Sequence, residues 1–271
     1  MNYHQVLKIG IIGLRAIGQG IIREIERGNA GQVQVLSVLC RTVSKYKDIN
    51  LGATLTEDTE TFFNKQYDVI IEAAGQDALK EYAPRCLQIS NLLITSMGAF
   101  TEDSFFEELI KIAKKNQKRI YLSSGALPAV DWMSSVSISN VNYLSIIQSK
   151  PVRSWKGTPA DDLIDLNSIK EKQCFFEGSA RNAASIFKKS SNITAMLALS
   201  TIGLDETQVK LVADPNSDQM HTMVEFSSSA GSLKLDWYGA PSKLNPSTSA
   251  DVPLAVVKFL RNLSSIVHYG A

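Results

Sequence analysis

The chain has 271 residues, 44% of them hydrophobic and 20% charged, with a formal net charge of +1. That length suits one large or two modest domains. The near-neutral balance provides no global basic field for nucleic acid or an anionic membrane surface. Cys40, Cys86 and Cys174 are widely spaced, form no metal-type CxxC and are odd in number, which argues against a secreted disulfide framework. No apolar run reaches the length of a membrane span, and Met1-Asn2-Tyr3-His4-Gln5 lacks the charged and apolar regions of a signal peptide. A cytoplasmic protein with no metal and no membrane or nucleic-acid partner is the expectation.

In chain order, the first signal is Leu7-Lys8-Ile9-Gly10-Ile11-Ile12-Gly13-Leu14-Arg15-Ala16-Ile17-Gly18-Gln19-Gly20. An apolar run ends in a glycine, and an amphipathic pattern with Ile17, Ile21, Ile22 and Ile25 on one face follows. This predicts a buried strand, a tight turn and a helix. In dinucleotide-binding folds such a turn aims the helix N-terminus, with its free N–H groups and positive dipole end, at the pyrophosphate. The G-x-G-x-x-G fingerprint is degenerate here, reading Gly13-x-Arg15-x-x-Gly18. Arg15 brings a Cβ where the backbone is usually bare, but its guanidinium can pair with a phosphate. Gly13, Arg15, Ala16, Ile17 and Gly18 are therefore candidate cofactor contacts. A helix-packing turn without a ligand is the alternative.

Residues 33–40 predict a second strand, ending where such folds choose their cofactor. An acidic residue there would bind the ribose 2′-hydroxyl of NAD. The position holds Cys40, and Arg41, Thr42, Ser44 and Lys45 follow. Without a carboxylate and with two cations, the cofactor expected is NADP, or NADP and NAD alike, with Arg41 and Thr42 as contacts; a solvated basic loop is the alternative. Residues 68–75 predict a further buried strand ending in small residues, which leave room for a ligand at Ala74. A helix over 76–88, a strand within 92–99, a helix over 102–115 and a strand at 119–122 complete the pattern. Repeated strand–helix units imply α/β architecture, a Rossmann-type parallel sheet covered on both faces, over residues 1–125.

The rhythm then changes. Short strand-like runs at 144–147, 173–176, 208–213, 223–227 and 233–237, with helical stretches at 180–187 and 194–200, predict a second, α+β domain of antiparallel strands over 126–245. The tail has helical spacing over 251–269, so residues 246–271 are expected to return to the first domain.

Several segments together resemble the L-aspartate dehydrogenase family. They are Ile71-Glu72-Ala73-Ala74, Ser124-Gly125-Ala126, Lys150-Pro151, Phe176-Glu177-Gly178-Ser179-Ala180, Ser191-Asn192-Ile193, Val212-Ala213-Asp214-Pro215 and Asn245-Pro246-Ser247-Thr248-Ser249. The resemblance implies a nicotinamide-binding domain, a second domain that holds substrate and makes a homodimer, and oxidation of L-aspartate to iminoaspartate, a product that can feed NAD synthesis. It also implies that Ala126 and Asn192 contact the cofactor near its nicotinamide. Ser247 stands where a lysine is more usual. The family pattern runs from Asp-Pro to a histidine. An ungapped count from Asp214 to Gly231 puts that histidine on Thr222, one residue after His221. In a strand, a one-residue shift reverses the face of the side chain; in a loop entering the strand, a one-residue deletion restores the role.

Amino-acid oxidation needs a group that handles the ammonium proton, and a side chain with a pKa near the working pH suits that task. Histidine meets this without perturbation. The chain has three, His4, His221 and His268, and only His221 lies inside the second domain, so elimination also favours it. A satisfied structural histidine is the alternative. A dicarboxylic substrate needs cations, for which Lys150, Arg153 and Lys156 are at hand, Lys150 being the candidate that directly follows a strand-like run. Asp214 is a candidate for orienting the histidine or the substrate ammonium, or else caps a turn before Pro215. Two rival readings stand beside aspartate oxidation: a dehydrogenase for another amino or keto acid on the same scaffold, and a non-catalytic nucleotide-binding protein.

Overall fold

The structure is a computed structural model that describes residues 6–46, 52–188, 192–245 and 248–270. His4, Ser191, Pro246 and Ser247 lie outside the described residues. In chain order the elements are β1 (Leu7–Ile12), α1 (Ala16–Glu26), β2 (Val33–Leu39), β3 (Thr54–Thr56), α2 (Thr59–Phe63), β4 (Val69–Glu72), α3 (Gln76–Ile89), β5 (Asn91–Ile94), α4 (Asp103–Lys115) and β6 (Ile120–Leu122). They continue with α5 (Val130–Val136), β7 (Val141–Pro151), β8 (Gln173–Ser179), α6 (Ala180–Ile186), α7 (Asn192–Leu199), β9 (Gln208–Asp214), β10 (Met220–Ser228), β11 (Gly231–Gly239) and α8 (Val252–Ser264). The chain divides into two compact units, residues 1–125 with 252–271, and residues 126–251. The described residues 248–251 thus fall in the second unit, not with the terminal helix.

The first unit carries a six-stranded sheet in the order β3-β2-β1-β4-β5-β6, every pair parallel. This is the strand order of the Rossmann fold. Ile9, Ile11, Ile70, Ile71, Leu92 and Leu93 are wholly buried, as expected of central parallel strands covered on both faces. Ile21 and Ile22 of α1 join Val256, Val257 and Leu260 of α8 in one core cluster, so the apolar stripe of the tail is buried within this unit. Two elements here have no counterpart in the sequence reading, β3 and α2. A three-residue strand is too short to show a period, and α2 begins at an Asp58 cap whose carboxylate accepts the Glu60 and Thr61 N–H groups.

The second unit carries a five-stranded sheet in the order β11-β10-β7-β9-β8. Its strands were expected to be antiparallel; β7 and β9 instead pair in parallel. Between them the chain forms β8, α6 and α7, the long crossover that a parallel pair requires. The strands are also longer than their apolar runs. β7 reaches Pro151 and β10 begins at Met220, because ladder pairing continues through polar residues that carry no hydrophobic signal. One face of the sheet is core, with Ile146, Val209, Leu211, Val224 and Phe226 fully buried, and fully buried Trp155 donates its indole N–H to the Val212 carbonyl at 3.0 Å.

Candidate active site

In the first unit the turn between β1 and α1 depends on its two glycines. Gly13 has φ +101°, and a Cβ there would lie 2.7 Å from the Ala73 carbonyl oxygen. A Cβ on Gly18 would lie 2.1 Å from the carbonyl oxygen of Gly13, so the helix can approach the turn only with glycine at that place. Arg15 is the N-cap of α1 and makes no side-chain capping bond, and no acidic residue lies in the first turn. The first bond of the helix joins the Gln19 N–H to the Arg15 carbonyl at 2.9 Å. The N–H groups of Ala16, Ile17 and Gly18 therefore precede the ladder and open at the positive end of the helix dipole.

Beside this turn lies a cavity of about 310 Å³, lined by Gly13, Leu14 and Arg15, by Cys40, Arg41, Thr42 and Lys45 after β2, and by Ala74, Ala78 and Tyr82 around β4 and α3. The structure thus brings Gly13, Arg15, Arg41, Thr42 and Ala74 to one cavity, at the C-terminal ends of the parallel strands, where open α/β sheets bind ligands. Three cations, open N–H groups and a bare backbone at Gly13 fit a dinucleotide phosphate.

Two carboxylates here escaped the sequence reading. Glu57, just past β3, also lines the cavity, and its Oε1 accepts the Val43 N–H at 2.5 Å. It follows a three-residue strand that periodicity does not reveal, and lines the same cavity as Cys40. Glu72 ends β4 and is 1% exposed. Its Oε1 accepts the Ala74 and Gly75 N–H groups at 2.8 and 2.7 Å and the Ser96 hydroxyl at 3.0 Å, and its Oε2 accepts the Thr95 N–H at 3.3 Å. Burial pushes its pKa up, while these donors favour the anion. The carboxylate ties the Ala74 turn to the end of β5.

In the second unit, strand alternation sorts the candidates into two groups. Thr222 pairs with Gln148, which pairs with Leu211; Lys150, two residues on, pairs with Ala213. Gln148, Lys150 and Thr222 therefore share the face of Ile146, Leu211 and Val224, the core face, and all three are buried. Gln148 donates its Nε2–H to Thr194 Oγ1 in the first turn of α7 at 3.1 Å, which brings the helix begun by Asn192 over this face. Gln148 Oε1 has no hydrogen-bond partner among the described residues. Lys150 is 7% exposed, and its Nζ lies over the Trp155 ring, 4.8 Å from the centroid. Burial pushes its pKa down to about 8. Ala126, the first residue of the unit, is buried as well.

His221 is placed differently. It is the second residue of β10, not a loop residue, and pairs with Ser149 and Tyr238. Its ring stacks on Tyr238 at 4.4 Å and 7°, and its Nε2 meets Asp236 Oδ1 at 2.8 Å. Asp236 and Tyr238 are exposed, so this is the opposite, outer face of the sheet. The one-residue offset from Thr222 falls within a strand, so His221 and Lys150 lie on opposite faces of the sheet. Asp214 takes the turn-capping alternative: Oδ1 accepts the Asn216 N–H at 2.9 Å, and Lys172 Nζ lies 3.4 Å from Oδ2. Arg153 is tied to Asp218 and Lys156 to Asn167 at the surface. His268 is exposed, with Nε2 3.1 Å from the Ser265 carbonyl.

Comparison with known proteins accounts for both units. Residues 13–123 match the family described as homoserine dehydrogenase, NAD binding domain, and residues 131–263 match the family described as aspartate dehydrogenase, C-terminal. Over 265 residues the chain is 31% identical to the L-aspartate dehydrogenase of Ralstonia pickettii, covering 97% of this chain and 99% of that one. It is 33% identical over 262 residues to that of Pseudomonas aeruginosa, covering 95% and 97%. The solved aspartate dehydrogenase of Thermotoga maritima matches the fold with a TM-score of 0.77 at 25% identity, over 98% of this chain and 100% of that chain. The chain belongs to the L-aspartate dehydrogenase family. As a member it is a dehydrogenase with a nicotinamide cofactor, and the Gly13–Gly18 turn lies within the segment that matches the NAD-binding family. Among the described residues no helix is long and apolar enough to cross a membrane.

Proposed function

We propose that this aspartate dehydrogenase family member oxidises L-aspartate to iminoaspartate, or in reverse aminates oxaloacetate, with NADP preferred to NAD. One observation carries the reading: the similarity to relatives named L-aspartate dehydrogenase runs through both units and spans 99% of one such relative. The bound nicotinamide supplies the hydride acceptor or donor. In this reading the first unit is the dinucleotide-binding domain. The N–H groups at the start of α1 and the Arg15 guanidinium hold the pyrophosphate, while the second unit is the substrate domain, with Ala126 and Asn192 toward the nicotinamide. Lys150 and Gln148 hold the substrate. Arg41 and Lys45 line the cavity at the end of β2, and the nearby carboxylate, Glu57, is engaged by the Val43 N–H, which supports a 2′-phosphate over a free 2′-hydroxyl.

The test is oxidation of NADPH and NADH by the full chain with oxaloacetate and ammonia, beside a panel of other keto acids. Turnover fastest with oxaloacetate and NADPH is expected; turnover only with another keto acid would replace the substrate. That second reading has its own support, since Thr222 occupies the inward strand position where the count places the family histidine. Binding of NADPH with no turnover on any keto acid would favour a non-catalytic protein.

The outer face of the five-stranded sheet presents Tyr143, Met223 and Tyr238, the last 60% exposed, which supports a homodimer through that face. A sedimentation mass of one chain would exclude it. All three cysteines are free thiols, in keeping with a cytoplasmic setting.

A further inference from the structure

His221 lies on the outer face of the sheet, while the inward face holds a buried lysine. Among the described residues, the inward positions of β7, β9 and β10 and the whole of α7 carry one ionisable side chain, Lys150; the polar residues there include Gln148, Thr222 and Thr194. Gln148 Oε1 is a buried acceptor without a partner on the same face, two residues along the strand from Lys150. Thr222, opposite Gln148, is diagonal to Lys150, within reach of a long side chain. A buried lysine two residues along the strand from an unmet acceptor suits a ligand that brings N–H donors.

We propose that Lys150 is the group that accepts the ammonium proton of the substrate, with Gln148 Oε1 and Thr222 Oγ1 accepting hydrogen bonds from the same nitrogen. This rests on the aspartate dehydrogenase reading. Neutral Lys150 takes one proton from the α-ammonium group; the N–H bond breaks and its electron pair stays on the substrate nitrogen. With an oxidised nicotinamide bound as the two-electron acceptor, that pair would close the C=N bond as the Cα–H bond gave up its hydride. Lys150 would then pass its extra proton to water. Buried lysines with lowered pKa values are suited to this work, because an ordinary ammonium holds its proton too firmly at neutral pH. Burial brings Lys150 to about 8, in the range where it exchanges a proton readily.

Two measurements test the assignment. The first needs no turnover: lysine labelled with ¹³C at Cε is titrated by NMR in the full chain without cofactor. One resonance is expected to move with a midpoint near pH 8 and to be missing from Lys150→Met; midpoints near 10.5 for every lysine would overturn the proposal. The second is turnover against pH for the unaltered chain, Lys150→Met, Lys150→Arg and His221→Ala, with circular dichroism of each. Lys150→Arg keeps the charge but cannot be deprotonated in a protein. Both Lys150 variants are expected to lose about a thousandfold in turnover, and the unaltered chain to show an alkaline-rising limb near pH 8 in aspartate oxidation. A loss of that size in His221→Ala, with the Lys150 variants within tenfold of the unaltered chain, would overturn the assignment alone. An unaltered chain with no turnover on any keto acid would overturn the functional reading and the assignment with it.

Discussion

At the Gly13–Gly18 turn the groups offered to a ligand are backbone N–H groups at the end of α1, whereas on the inward face of the second unit they are side chains from β7 and β10. The difference sets what each region tolerates. The turn accommodates Arg15 where a glycine is usual, but it forbids a Cβ at two positions where backbone approaches backbone. The inward face depends on register, because a shift of one residue exchanges its whole set of side chains for those of the other face.

The largest expected effect falls on the turn. In Gly18→Ala the new methyl meets the Gly13 carbonyl oxygen, so helix and strand must separate. We expect a loss of about 3 kcal/mol or more in urea unfolding, and loss of NADPH binding by fluorescence titration. A variant that folds and binds like the unaltered chain would break the backbone account of this region.

On the inward face the expected effect is comparable but opposite in sign. Lys150 has an ordinary pKa of 10.5 when unfolded and about 8 when folded. Between those values the unfolded chain holds a proton that the folded chain has released, so stability rises with pH through that window; below about pH 8 the full cost of the buried charge applies. Lys150→Met is expected to gain roughly 3 kcal/mol at pH 7, falling toward zero near pH 10.5. Equal urea midpoints for the two proteins at pH 7 would mean that the charge is not buried.

The smallest effect sharpens the description of the cavity. Removing one cation in Arg41→Ala is expected to weaken NADPH binding about tenfold, the worth of one charge-assisted hydrogen bond, and NADH binding less than twofold. Equal losses for both cofactors would move Arg41 away from the 2′-phosphate.

Much of the first unit was legible because its signals are local. An apolar run, a glycine and an amphipathic helix occupy some twenty consecutive residues, and the repeated units after them specify a parallel sheet. What escaped was short or joined separate turns: Glu57 just past a three-residue strand, and the role of Glu72, whose partners lie in the turns after β4 and β5. In the second unit the strands were legible but their ends, the parallel β7–β9 pair and the faces of single residues were not. Scarcity singled out His221 among three histidines, and scarcity says nothing of direction.

The amino-acid sequence by itself determined the strand–turn–helix start, the change of architecture after the first domain and the family, since each is written in the order and spacing of neighbouring residues. Only the tertiary structure decided that Lys150, Gln148 and Thr222 share a buried face while His221 stacks on Tyr238 across the sheet. The physical reason is the two-residue period of a strand. Pairing with β11 and with β7, the latter more than seventy residues away, fixes the register of β10, and with it the direction of every side chain along it.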